Sequence, residues 1–421
     1  MDKFVIQGGK KLSGRVKVSG AKNSVLALLP ATLLNSGINS IDNAPHVNDV
    51  YTMIKLLKQL GVASEFNDQV VKLDTTGINS QFAPYEQVKK MRASVYVLGP
   101  LLSRYGYAKV SMPGGCAWGP RPINLHLEAM KKLGAEIELE EGYIIARADK
   151  LIGNRIHFDV SSVGATGNAL MAAVLAKGAT YISNAAIEPE ITQLAEYLNL
   201  MGAKIYGVGT TVLEIEGVDE LKPASVTNVS DRIEAGTLLC AAAITKSSIE
   251  LEYNSPKHID SIIAKLTDSG IQSSFNNGIL SVFAENSLAQ SVDVTTAVYP
   301  GFPTDMQAQW ISFMSLAEGT STVTDTIYYD RFNHVPELVR LGAKIEVNNN
   351  SAIVKGVKSL RGAKVMSTDL RASACLVLAG LAAEGTTEVL RIYHLDRGYQ
   401  KIEEKLKTLG ADIQRETTTE F

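Results

Sequence analysis

Six times along this chain an amphipathic run ends in a glycine, most often as Leu-Gly or Met-Gly, and passes straight into a strand-like run. The copies read KLLKQLGVASEF, EAMKKLGAEIEL, AEYLNLMGAKIY, IAKLTDSGIQSSF, VPELVRLGAKIEV and IEEKLKTLGADIQ. Their glycines are Gly61, Gly134, Gly202, Gly270, Gly342 and Gly410, separated by 73, 68, 68, 72 and 68 residues. Each stands where a helix needs a left-handed residue before the chain reverses, a conformation glycine adopts without a Cβ penalty. A period this regular means one structural unit copied six times.

A second element repeats in step: NSVLALLPATLLNSG, ASVYVLGPLLSRYG, GNALMAAVLAKG, AGTLLCAAAITKS, AQWISFMSLAEG and SACLVLAGLAAEG. These runs are small and apolar almost all round, so they predict helices buried on every side, with the amphipathic helices outside them. Strand-like segments such as EIELEEG, YIIARAD and RIHFDV alternate and fit sheets with one solvated face. The fold class expected is therefore α/β, with helices inside and sheets outside.

The sixth unit stops after one strand, ADIQRETTTEF, and residues 3–19 carry the strands it lacks. The N-terminal segment is thus expected to cross over, giving two lobes of three units each. One is residues 22–229; the other is residues 1–21 plus 230–421. Two lobes suit the length, because single cores stop growing near ~250–300 residues. The two connections form a hinge, and the active site is expected in the cleft between the lobes. Lys plus Arg number 41 and Asp plus Glu 44, a net charge of −3, which gives no bulk attraction to nucleic acid. No apolar run reaches the ~18–20 residues of a membrane span, and the first ten residues make no signal peptide. A cytoplasmic chain without nucleic-acid or membrane partners is expected.

The copies differ most where the buried helices begin: Lys22-Asn23, Arg92, Gly164-Ala165-Thr166, Asp231-Arg232, Thr304-Asp305 and Asp369-Leu370-Arg371. A helix N-terminus offers free N–H groups and partial positive charge, which suits an anion. Cations placed there (Lys22, Arg92, Arg232, Arg371) oppose the dipole and cost stability unless an anion is bound. A strongly anionic ligand is expected. The alternative is a structural network in which these cations pair with Asp231, Asp305 and Asp369.

Residues 111–126, SMPGGCAWGPRPINLH, interleave glycines with prolines, the make-up of a lid. Cys116 sits at its middle beside Arg121-Pro122, and nearby cations lower a thiol pKa and free the thiolate. Cys240 and Cys375 fall inside buried apolar runs and read as inert core. Arg331 and Arg397 each stand just before an outer helix. His46, His126, His334 and His394 occupy equivalent loop-to-helix regions. No HxxxH or carboxylate–His spacing appears, and no metal is expected.

At these residues the chain resembles the UDP-N-acetylglucosamine enolpyruvyl transferase family. The motifs are SGAKNSVLALLPA, MRASVYVLGPLL, MPGGCAWGPRPINLH, SVGATGNALMAA, DRIEAGT, YPGFPTDMQAQ, RFNHVPELVRLGA, and DLRASACLVLAG followed by LDRGY. The resemblance implies a two-lobed inside-out α/β barrel of six repeats, the enolpyruvyl transferase fold. It implies transfer of the enolpyruvyl group of phosphoenolpyruvate to the 3′-hydroxyl of UDP-N-acetylglucosamine, with loss of phosphate and no cofactor. By the same match, Lys22 and Asn23 hold phosphoenolpyruvate. Arg92, Arg121 and Arg397 contact its phosphate and carboxylate, and Arg331 is counted with the substrate-binding residues. Pro122, Ile123, Asn124 and Leu125 match the segment that seats the uracil, and Ser162, Val163 and Gly164 the segment that binds the diphosphate. Asp305 matches the acceptor of the sugar proton, and Ile327 a backbone contact to the sugar nucleotide. Cys116 matches the lid cysteine, a general acid alkylated by fosfomycin. Asp369 and Arg371 match the phosphoenolpyruvate side, with Asp369 a second proton-transfer candidate.

Four positions depart from the family pattern: Trp118 replaces a smaller aliphatic residue, Asn124 an Asp, and Tyr329-Asp330 a Glu-Asn pair. Two rival readings stand beside the first. The sister transferase acting on shikimate 3-phosphate lacks the cysteine lid, and a catalytically dead sugar-nucleotide sensor would bind without releasing phosphate.

Overall fold

The structure, a computed structural model, describes residues 1–89, 91–112, 123–285 and 287–420. The six small-residue runs form the helices Lys22–Ala31, Leu98–Tyr105, Val163–Ala173, Arg232–Ile244, Gln307–Met314 and Leu370–Ala382. They are buried nearly throughout; in the fourth, all residues from 233 to 244 are covered. Tighter 3₁₀ turns, Arg92–Val97 and Thr304–Met306, lead into the second and fifth. The outer helices are Asn48–Gln59, Asn124–Lys132, Pro189–Leu200, Asp260–Asp268, Val335–Arg340 and Ile402–Thr408. The glycine after each has φ between 88° and 103°, the left-handed region the repeat demanded.

Each copy builds one four-stranded sheet. In the second, Phe82–Ala83 lies parallel to Tyr107–Ser111, which pairs antiparallel with Tyr143–Arg147, which in turn pairs with Glu136–Glu140. One backbone bond recurs in every copy and closes the sheet over the end of its buried helix. The donors are the amides of Thr75, Ala148, Gly217, Ala284, Gly356 and Gly8; the acceptors are the carbonyls of Gly37, Gly106, Gly178, Ser247, Gly319 and Gly385. All six lie between 2.9 and 3.2 Å. In the sixth copy the donor belongs to the N-terminal segment. Strand β1 (Asp2–Gln7) lies between Thr386–Leu390 and Asp412–Thr417, with Phe4 opposite Val389 and Asp2 opposite Thr417.

Two short strands are exchanged. Strand β2 (Arg15–Lys17) precedes the first buried helix, yet it pairs parallel with Ser248–Glu252 in the fourth copy's sheet. Ser225–Thr227 precedes the fourth buried helix and pairs parallel with Ile38–Asp42 in the first copy's sheet. The chain accordingly divides into two compact units, Gly20–Val229 and Met1–Ser19 with Ser230–Phe421, each with its own apolar core. The division at residues 21 and 22 expected from the sequence falls two residues earlier, for a local reason. Ala21 donates its N–H to Val229 O at 2.7 Å, within the first unit. Ser19 donates its N–H to Glu234 Oε1 at 2.9 Å, and its hydroxyl meets Lys405 Nζ at 2.6 Å, within the second. Lys405 and Glu234 are themselves paired, which anchors the end of the N-terminal segment.

Candidate active site

The candidate residues fall into two groups, one in each unit. In the first unit Lys22 opens the helix Lys22–Ala31, with its Nζ 3.4 Å from Asp49 Oδ2 on the outer helix Asn48–Gln59. Both side chains are largely buried, so the carboxylate offsets the cost of a cation at a helix N-terminus. Asp49 carried no signal in the sequence, because an acid in a helix's first turn is commonplace. Asn23 follows Lys22 in the same first turn.

Arg92 opens the turn Arg92–Val97. Burial, with the Arg92 charge acting in the same direction, pushes the His126 imidazole down to about 4. Its Nδ1 lies 2.8 Å from Asn168 Nδ2, an amide that can only donate, so the neutral ring carries its proton on Nε2. That edge of the ring rests on Gly164, where an added Cβ would stand 3.0 Å from Cε1 and Nε2. Asn124, Leu125 and His126 share one helix, whereas Ser162 caps Val163–Ala173 by accepting from Ala165 N at 3.3 Å. The structure therefore brings together the two segments expected to seat the nucleotide, with His126 between them. Ile123 and Leu125 pack half-buried on the core, and Val163 O accepts from Tyr96 Oη at 3.4 Å. Cys116, Arg121, Pro122 and Trp118 lie outside the described residues.

In the second unit Asp305 is gripped by two arginines. Arg331 Nη2 donates to its Oδ1 at 2.9 Å, and Arg371 Nη2 donates to its Oδ2 at 2.7 Å. The Asp305 side chain is 26% exposed, whereas those of Arg331 and Arg371 are 8% and 6%. The carboxylate is thus the face of this cluster that solvent reaches. Burial works against the Arg371 charge, but Asp305 and Tyr399 outweigh it and raise the pKa, keeping the guanidinium charged.

A second carboxylate that sequence reasoning missed, Asp325, organises the turn beside them. It is buried, and its Oδ1 accepts from Thr296 Oγ1 at 2.8 Å, Ile327 N at 2.9 Å and Tyr328 N at 3.0 Å. Its Oδ2 accepts from Thr304 Oγ1 at 2.6 Å, and Arg331 Nη1 donates to that same hydroxyl at 2.9 Å. The Ile327 amide is committed to this turn, which leaves its carbonyl as the backbone group it can offer a ligand.

Asp369 caps Leu370–Ala382: its Oδ1 accepts from Arg371 N at 2.8 Å and Ala372 N at 3.2 Å, while Oδ2 accepts from Thr368 Oγ1 at 3.3 Å. Asp231 caps its helix in the same way. The expected alternative of cations paired with aspartates is seen at Asp305, which meets Arg331 and Arg371, and Asp231 and Asp369 each accept backbone amides at their helix starts. Two imidazoles feel the Asp369 charge. Burial pushes His334 down to about 4 and also lowers His394, with Arg397 adding to the lowering of His394. Arg397 ends the turn Ile392–Arg397. Cys240 and Cys375 are buried and their thiols are pushed up, Cys240 to about 12. Among the described residues no three His, Cys, Asp or Glu side chains gather as a metal centre.

Comparison with known proteins adds three findings. The family model described as EPSP synthase (3-phosphoshikimate 1-carboxyvinyltransferase) matches residues 6–406. The chain is 58% identical to a UDP-N-acetylglucosamine 1-carboxyvinyltransferase of Chloroherpeton thalassium over 100% of this chain and 99% of that one. It is 57% identical to the Chlorobium limicola protein of the same name over 100% of both. Among solved structures, the enolpyruvyl transferase NikO from Streptomyces tendae superposes with a TM-score of 0.90 at 26% identity, covering 99% of each chain.

Proposed function

We infer what this chain does from one premise: it belongs to the EPSP synthase family. It transfers the enolpyruvyl group of phosphoenolpyruvate to the 3′-hydroxyl of UDP-N-acetylglucosamine and releases phosphate, the first committed step of peptidoglycan synthesis. The choice of the sugar nucleotide over shikimate 3-phosphate rests on 58% full-length identity to a transferase named for that acceptor.

The geometry that best supports this chemistry is the Asp305 carboxylate, fixed at both oxygens by buried guanidiniums and itself 26% exposed. In our reading C3 of phosphoenolpyruvate takes a proton, C2 becomes electrophilic, and the sugar oxygen adds to C2 while its proton passes to Asp305. A proton then leaves C3 as the bond from C2 to the phosphate oxygen breaks, which restores the double bond and frees phosphate. The atoms balance with no further reagent. Cys116 and Asp369 are assigned the proton transfers at C3.

Lys22 stabilises the charge developing at the reacting centre, and Asn23, Arg92, Arg121, Arg371 and Arg397 hold the phosphate and carboxylate. Arg331 orients Asp305. Pro122, Ile123, Asn124 and Leu125 seat the uracil, and Ser162, Val163 and Gly164 the diphosphate; the contact of His126 with Gly164 supports that pairing. Ile327 meets the sugar nucleotide through its carbonyl. We place the enzyme in the cytoplasm, because both substrates are multiply charged and do not cross a bilayer unaided.

Phosphate release is the test. It is expected with UDP-N-acetylglucosamine and absent with shikimate 3-phosphate, and Asp305→Asn should lower kcat by roughly 10²–10⁴-fold. Tight sugar-nucleotide binding without phosphate release from the unaltered protein would favour a sensor instead.

A further inference from the structure

The two arginines on Asp305 are built alike. Each uses one terminal nitrogen for the carboxylate and the other for a hydroxyl. Arg331 Nη1 reaches Thr304, whose hydroxyl is bound in turn by Asp325. Arg371 Nη1 donates to Tyr399 Oη at 3.1 Å, and its guanidinium carbon lies 5.5 Å from that ring's centroid.

Behind Tyr399 a polar chain runs through the apolar core of the second unit. It includes Thr237 on Arg232–Ile244 and Gln309 on Gln307–Met314; both, like Tyr399, are fully buried. A threonine hydroxyl has one proton, and that of Thr237 goes to Ile233 O at 2.7 Å. The 2.8 Å contact between Thr237 and Tyr399 is therefore donated by the phenol. Gln309 Nε2 donates to Thr237 Oγ1 at 3.1 Å and to Tyr399 Oη at 3.2 Å. The phenol oxygen thus gives its proton to Thr237 and receives Gln309 and Arg371, which uses its full hydrogen-bonding capacity. It faces Arg371 only as an acceptor.

Polar groups threaded between buried helices cost desolvation that an aliphatic cluster of the same volume would not incur. What they supply is a single orientation, since each contact in the chain fixes the next. We propose that Tyr399 is a positioning residue for enolpyruvyl transfer, fixing the Arg371 fork and through it the direction of the Asp305 carboxylate. The proposal rests on Asp305 being the acceptor of the sugar proton. No atom of Tyr399 enters the reaction.

Steady-state kinetics of Tyr399→Phe, Thr237→Val and Asp305→Asn test it, each variant accompanied by a thermal melt. Tyr399→Phe keeps the ring and removes only the oxygen. It should lower kcat by roughly ten- to a hundredfold, the worth of one hydrogen bond to a charged group, with KM for both substrates within about threefold. Thr237→Val, which displaces the phenol's proton without touching Arg371, should move kcat the same way by less. In the Asp305→Asn background Tyr399→Phe should add nothing, because no base remains to be aimed. A lowered melting temperature with wild-type kcat in Tyr399→Phe would overturn the proposal. So would a full additional loss in the double variant. If Asp305→Asn itself keeps wild-type turnover, the failure lies with the proposed base and not with Tyr399.

Discussion

At the scale of single residues, burial rather than sequence neighbours decides what the ionisable groups do. His126 is an example, because its ordinary pKa would leave it partly charged near neutrality, yet its site holds it neutral down to about 4. The unfolded chain binds the imidazole proton below roughly pH 6.5, and the folded chain does so only below about 4. Protons are therefore taken up on unfolding across that window, and stability should rise with pH from 4 to 6.5 and level off above it. The full effect of this one group is about 3 kcal/mol at the acid end. Urea melts at pH 4.5, 5.5 and 7 should show a shallower pH slope for His126→Asn than for wild type; equal slopes would refute the assignment. The candidate cations were legible, since a cation at a helix start is an anomaly that a sequence displays, whereas Asp305 stood out through its place in the motif YPGFPTDMQAQ. Their partners were not. Asp49 and Asp325 acquire their roles by tertiary contact and nothing in their sequence neighbourhoods marks them out; Tyr399 closes the motif LDRGY, but its contact with Arg371 exists only in the fold.

At the scale of the element, the recurring amide-to-carbonyl bond shows why the copies tolerate different residues at one position. In the second copy the donor is Ala148; in the third it is Gly217, where a Cβ would lie 1.6 Å from Ala176 O at the end of the buried helix. Gly217→Ala must push that helix end away from its sheet, and overpacking of this kind typically costs about 1–3 kcal/mol. Ala148→Gly, at the equivalent site, should cost less than about 1 kcal/mol, chiefly chain entropy. Chemical denaturation of the two variants checks the contrast, and similar losses in both would mean that the helix end yields freely. Helices and their glycine stops were readable because each carries a period or a demanded φ. Residues 3–19 were expected to complete the sixth copy; β1 does so, but β2 pairs into the fourth copy's sheet, and Ser225–Thr227 was assigned to no sheet, since three residues carry no period.

For the whole molecule, the N-terminal segment belongs to a core assembled from residues more than two hundred positions away. Phe4 and Ile6 are fully buried in the second unit, although both stand within the first seven residues. Ile6→Ala should therefore destabilise that unit by about 2–5 kcal/mol, as large-to-small core changes do. Trp310, buried in the same core, supplies the reporter once Trp118→Phe removes the other tryptophan. An earlier urea midpoint by Trp310 fluorescence is the expected result; an unchanged midpoint would detach the segment from the core.

The position of β1 also bears on how the protein is made. The ribosome delivers Phe4 and Ile6 before any of their neighbours in the sixth sheet exist, because both flanking strands, Thr386–Leu390 and Asp412–Thr417, are translated near the end. At synthesis rates of roughly 5–20 residues per second, this apolar ribbon spends about 20–80 s with both hydrogen-bonding edges bare. The three sheets of residues 20–229 can close during that interval, so β1 is made before them and paired after them. Until then its bare edges can pair with those of other chains.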